Sequence, residues 1–123
     1  MYELKVVSRF AAAHQLKMVA EKCENLHGHN WRVEVYLSGK ELNNAGVLMD
    51  FGEIKVHLNE IIDSLDHKFL NELAIFDNGN PSSENIAIYI ATTFQSKLSN
   101  PMVKVSRVGV WESDDSCATY IMP

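Results

Sequence analysis

Six side chains in this sequence could do chemistry together: His14, Cys23, His27, His29, His67 and Glu112. His27 and His29 are two residues apart, so on a strand both imidazoles leave the same face. That face continues through Trp31, Val33, Val35 and Leu37, while Asn30, Arg32, Glu34 and Ser38 take the other. His14 stands two residues beyond Ala12 on the apolar side of an earlier alternating stretch. Paired antiparallel, the two strands bring all three imidazoles to one end of a sheet. Three neutral imidazoles are the donor set of a catalytic zinc, which keeps a fourth position open for water or substrate. The plainer reading of His27-Gly28-His29 is two satisfied polar residues at a strand start, with Gly28 serving a turn. A bulge near Ala11-Ala12-Ala13 would spoil the register.

Cys23 lies four residues before His27, in the loop between the two histidine-bearing strands. As a fourth ligand it would close the site in the structural manner; near a cation its thiol would ionise and serve as a base or nucleophile. The third option is an inert buried thiol. Asp66-His67 follows a helical stretch, where the pair is either a helix-end cap or a relay in which the acid orients and polarises the imidazole. Glu112 follows Val108 and Val110 on one strand face. There it either ends the strand in solvent or accepts two hydrogen bonds from an amidine-like ligand edge. His57, four residues after Glu53, reads as a helix-surface residue, and Cys117 as a core thiol.

The elements that must position these groups follow from periodicity. Alternation from Tyr2 to about His14 predicts a strand, and a second runs from His27 to Leu37. Ile54, Leu58, Ile61, Ile62 and Leu65 fall at helical spacings within 51–65. After the Asn78-Gly79-Asn80-Pro81 loop, Ser82 or Ser83 caps a second helix carrying Ile86, Ile90, Phe94 and Leu98, which ends near Asn100-Pro101. Valines at 103, 105, 108 and 110 predict a third strand over 102–111, and 117–122 a fourth. The order ββααββ predicts an α+β fold, an antiparallel four-stranded sheet with two helices on one face. Its exposed edges invite pairing between subunits, hence a closed oligomer.

Composition narrows the function classes. The chain has 123 residues, 46% hydrophobic and 22% charged, which suits one soluble domain spanning 1–123. A net charge of -5 argues against nucleic acid as the main partner. No apolar run approaches the roughly 20 residues of a membrane span, and the N-terminus lacks the layout of a secretory signal, so the expectation is a cytoplasmic protein with both cysteines as free thiols. Arg9, Lys17, Lys22 and Lys68 lie in or near the motif-bearing segments and could supply local positive potential for an anionic ligand.

These motifs carry a resemblance. Phe10-Ala11-Ala12-Ala13-His14, Cys23-Glu24-Asn25-Leu26-His27-Gly28-His29-Asn30, Leu48-Met49-Asp50-Phe51-Gly52, Leu65-Asp66-His67, Asn80-Pro81-Ser82-Ser83-Glu84-Asn85 and Val110-Trp111-Glu112 stand in one order along essentially the whole chain. In this the sequence resembles the 6-pyruvoyltetrahydropterin and 6-carboxytetrahydropterin synthases of the tunnelling fold. The resemblance implies that His14, His27 and His29 hold Zn2+, that Cys23 is the catalytic base, and that His67, supported by Asp66, activates it. It further implies that Glu112 anchors the pterin ring and joins the same relay, and that Ser82 and Ser83 line the pterin pocket. The family assembles trimers that close a barrel, commonly stacked as a homohexamer, with the site at a subunit interface.

The implied reaction is zinc-dependent conversion of 7,8-dihydroneopterin triphosphate to 6-carboxy-5,6,7,8-tetrahydropterin, with release of acetaldehyde and triphosphate, in the supply of queuosine and other deazapurines. Three residues between Cys23 and His27 resemble the bacterial carboxy branch, whereas the animal pyruvoyl branch has a longer spacer. The alternatives are the pyruvoyl synthase, a dihydroneopterin-cleaving enzyme that forms a 6-hydroxymethylpterin, which a glutamate such as Glu24 near the thiol would favour, and a non-catalytic zinc-binding protein. Ser82 and Ser113 stand where the family commonly has threonine.

Overall fold

A computed structural model describes residues 1–17 and 25–123. The first two strands, β1 (Tyr2–His14) and β2 (His27–Gly39), form one long antiparallel ladder. Its register runs unbroken from Tyr2 opposite Gly39 to His14 opposite His27, with no bulge at the alanine run. The chain continues through α1 (Phe51–Asp63), the short strand β3 (Lys68–Phe69), α2 (Ser83–Lys97), β4 (Lys104–Ser113) and β5 (Ser116–Ile121).

The sheet order is β3-β1-β2-β4-β5. Four strands are antiparallel as the alternation predicts; the fifth, β3, is an addition to that expectation, two residues long and parallel to β1. The sheet is therefore mixed. Two residues are too few to show a period, which is why the sequence gives no sign of β3.

Both helices cover one face. Asp50 caps α1 by accepting from the Gly52 N–H at 3.0 Å, and Ile54, Leu58, Ile61 and Ile62 bury its inner side. Ser82 caps α2, its hydroxyl accepting from Asn85 N–H at 3.2 Å, and Ile86, Ala87, Ile90, Ala91 and Phe94 are buried. Helix α1 packs on β1 and α2 on β4 and β5. Against them the sheet buries Phe10, Trp31, Val33, Val35, Leu37, Val108 and Val110. Each such side chain contributes about 1.5–3 kcal/mol on transfer from water, so this face holds the fold together.

The opposite face is polar. Glu34, 6% exposed, accepts from Trp111 Nε1 at 2.5 Å and from the Tyr36 hydroxyl at 3.2 Å, and pairs with Lys5 at 3.2 Å. Burial alone would raise the Glu34 carboxyl, but bonds from Lys5 and Trp111 outweigh it and hold the group below its ordinary value.

Two expectations are corrected here. Cys117 is exposed instead of forming core, because it lies on the open face of the edge strand β5, where Ala118 and Tyr120 take the helix side. His57 is half-buried, its ring edge 6.0 Å from Phe94, because the α1 flank beside α2 is wider than its apolar stripe suggests.

A candidate metal centre at one end of the sheet

The β1–β2 register places His14 beside His27, and strand alternation adds His29 on the same face. Trp31 continues that face as a wholly buried floor, its ring centroid 5.0 Å from His14 and 5.3 Å from His29. The Trp31 indole donates to the Ala12 carbonyl at 3.3 Å, which ties the floor to β1. His14 is fully buried; His27 and His29 are partly open.

Backbone carbonyls fix the rings. His14 Nδ1 lies 2.8 Å from Pro81 O, and His27 Nδ1 lies 2.7 Å from Asn25 O. A carbonyl only accepts, so each Nδ1 carries the proton and each Nε2 presents a lone pair. These two Nε2 atoms are 2.8 Å apart. Two lone pairs at that distance repel unless a proton or a metal cation lies between them. Burial lowers the His29 pKa, opposed by Glu112 and reinforced by His27 and His14, which favours the neutral imidazole a metal needs.

Glu112 joins the group. The β2–β4 ladder sets Arg32 opposite Trp111, so Glu112 comes level with Trp31 and diagonal to His29; a register shift between Trp111 and Ser113 on the β5 side frees it from regular pairing. Its Oε1 stands 2.7 Å from His29 Nε2, 3.3 Å from His14 Nε2 and 3.6 Å from His27 Nε2. The 2.7 Å approach is not aligned as a hydrogen bond, and His29 Nε2 is buried without a hydrogen-bond partner among the described residues. All four ligand atoms lie within 4.8 Å of one another, and the group could hold a metal ion. Donors about 2.0–2.1 Å from a tetrahedral ion stand about 3.3 Å apart, so the residues present fit one.

Asp66 and His67 form a second cluster beside the first. Asp66 Oδ1 accepts from Ala11 N–H at 2.9 Å, and His67 N–H donates to Ala11 O at 2.6 Å, so the turn grips β1 three residues before His14. The Ala11 N–H above all keeps the Asp66 carboxyl below its ordinary value. His67 has φ 57°, in the left-handed region that a residue with a Cβ seldom adopts, and its Nδ1 meets Asp66 Oδ2 at 3.0 Å. The ring is 83% exposed. A groove of about 520 Å3 is lined by Ala11–Ala13, Gly28, His29, Asn30, His67, Lys68 and Phe69, and so touches one member of each cluster. Lys68 thus lies in the groove, whereas Arg9 stands on the other sheet face from His14 by strand alternation. Cys23, with Lys22 and Glu24, lies outside the described residues.

Four positioning residues have no role assigned from sequence alone. Pro81 and Asn25 act through their carbonyls. Asn71 and Asn80 clamp the chain beyond His14: each side chain accepts from and donates to one backbone residue, Gln15 at 2.8 and 2.7 Å and Lys17 at 2.9 and 2.7 Å. Ser82 and Ser83 follow Pro81, so the α2 start abuts His14 through that carbonyl; the Ser82 hydroxyl is engaged as the helix cap.

Fold and site together define a two-layer α+β protein with a candidate metal centre where β1, β2 and β4 meet. Residues 3–122 match the family described as 6-pyruvoyl tetrahydropterin synthase, and the chain belongs to that family. It is 37% identical over 120 residues to the 6-carboxy-5,6,7,8-tetrahydropterin synthase of Synechocystis sp., covering 93% of this chain and 88% of the relative. It is 37% identical over 106 residues to the dihydroneopterin monophosphate aldolase of Pyrococcus furiosus, covering 86% and 85%. The solved structure of 6-pyruvoyl tetrahydropterin synthase from Caenorhabditis elegans superposes with a TM-score of 0.87 at 27% identity, covering 99% of this chain and 96% of that one.

Proposed function

We propose that the protein is a zinc-dependent lyase that converts 7,8-dihydroneopterin triphosphate to 6-carboxy-5,6,7,8-tetrahydropterin, releasing acetaldehyde and triphosphate, in the cytoplasmic supply of queuosine-type deazapurines. The observation that carries the reading is the convergence of the His14, His27 and His29 Nε2 atoms, with the tautomers of His14 and His27 fixed by the Pro81 and Asn25 carbonyls. Zinc suits imidazole and carboxylate donors at tetrahedral spacing, and when bound it supplies Lewis-acid charge that eases ionisation of a substrate hydroxyl.

The chain's own groups divide the remaining work. His14, fully buried, fixes the end of the site, while the more open His27 and His29 face the substrate side. Asp66 accepts the Nδ1 proton of His67, which leaves His67 Nε2 to take or return a proton. Cys23 is the base in this reading, with His67 as its partner. Glu112 accepts the paired N–H groups of the pterin edge, Ser82 and Ser83 border the ring, and Lys68 in the groove attracts the polyphosphate. The single domain assembles into trimers or hexamers with the site at a subunit interface; the exposed edge strand β5, with Ile121 72% exposed, supports pairing there.

Incubating the zinc-loaded protein with dihydroneopterin triphosphate and weighing the pterin product tests the reading. The expected product is the 6-carboxy compound together with acetaldehyde. The similarity to the Pyrococcus furiosus aldolase favours a second reading, cleavage to a 6-hydroxymethylpterin. That product, or a pyruvoyl one, overturns the branch while keeping the metal chemistry. No product with zinc bound overturns the enzyme.

A further inference from the structure

We infer that Glu112 is a displaceable fourth ligand, a carboxylate that closes the metal site at rest and leaves it when substrate binds. The inference rests on the proposed metal centre. Its basis is geometric: Glu112 Oε1 stands 2.7, 3.3 and 3.6 Å from the three Nε2 atoms, and the His14–His27 pair stands at 2.8 Å. These four edges scatter around the roughly 3.3 Å expected between donors of one tetrahedral ion. Three histidines alone would leave a vertex open; in this chain the carboxylate fills it.

The carboxylate is not locked there. Its side chain is 32% exposed, it bonds to no backbone N–H among the described residues, and a register shift on the β5 side flanks it. By contrast His14 and His27 are each fastened at Nδ1 by a carbonyl. His14 and His27 are therefore the fixed ligands of the group, and the glutamate, on a longer and partly exposed side chain, is free to turn. A pterin edge offers paired N–H donors to that same carboxylate, so binding of the ring withdraws Glu112 from the ion. The position needed by the substrate hydroxyls is vacated by the substrate itself.

The test loads the purified protein with Co2+, whose visible absorption reports the number and symmetry of its ligands. One Co2+ per chain with a four-coordinate spectrum is expected for the wild type, with little response to added azide, because the fourth position is taken. Glu112→Gln should hold Co2+ at least about tenfold more weakly against a competing chelator, and its spectrum should shift when azide enters. Glu112→Asp keeps the charge but withdraws the oxygen, so it should weaken and open the site as Gln does. Equal affinity and spectra in wild type and both variants, or an Asp variant that behaves as wild type, would overturn the inference and leave the metal centre standing. Failure of the wild type to bind Co2+ would overturn both. Far-UV circular dichroism of each variant reports that the fold is intact.

Discussion

Removing metal from the wild type should lower its thermal stability by an amount the structure lets us bound. Four donors from β1, β2 and β4 meet at one point, so an ion held there as proposed would bind the folded chain and find no such site in the unfolded one. With free metal a thousandfold above its dissociation constant, this linkage adds about 4.1 kcal/mol. For 123 residues the unfolding entropy near the midpoint is about 0.26 kcal/mol/K, so chelation should lower Tm by about 16 °C. His14→Ala is the control. Because His14 is wholly buried and holds Pro81 O, the variant should lose about 1–3 kcal/mol even without metal. The deciding quantity is therefore the difference between loaded and chelated samples of the same variant, by differential scanning calorimetry. That difference should be large in wild type and near zero in His14→Ala. A wild-type Tm indifferent to chelator, or an undiminished shift in His14→Ala, would refute the reasoning.

Asp66→Asn keeps an oxygen for the Ala11 N–H but weakens the grip on the His67 imidazole; turnover of dihydroneopterin triphosphate should fall in kcat by at least about tenfold with little change in KM. Glu34→Gln should change the acid limb of stability. The folded Glu34 carboxyl is held below its ordinary value, so its contribution is full above about pH 4.3 and is lost as pH falls through the folded value; urea unfolding of wild type and variant should converge there. Trp31→Ala removes the floor beneath His14 and His29 from a site with no exposure, and should cost about 3–5 kcal/mol in denaturant unfolding.

How much of this was legible in the sequence differs by element. Strands β1, β2, β4 and β5 and both helices follow from periods of two and 3.6, since each buries one side against the other layer. The histidine triad was legible for the same reason: parity sets His27 and His29 on one face, and an antiparallel hairpin brings up His14. The approach of Glu112 was not, because it depends on the pairing of Arg32 with Trp111, a non-local register that no local pattern encodes. The carbonyls of Asn25 and Pro81 leave no trace either, since every residue has one. Cys117 shows the limit of composition: an apolar type on an edge strand says nothing about which side is covered.

The three histidines of the proposed centre all lie on one hairpin, with His14 and His27 only thirteen positions apart and facing each other at the end of its ladder. A loop of that size closes in well under a microsecond, and a hairpin forms in microseconds, long before a mixed sheet of five strands is complete. An ion held there as proposed would clasp the first third of the chain while α1, α2 and β4 are still unfolded, and fix the register on which later strands are laid. Glu112 comes from β4, late in the sequence, so its carboxylate reaches the histidines only once β4 has paired with β2.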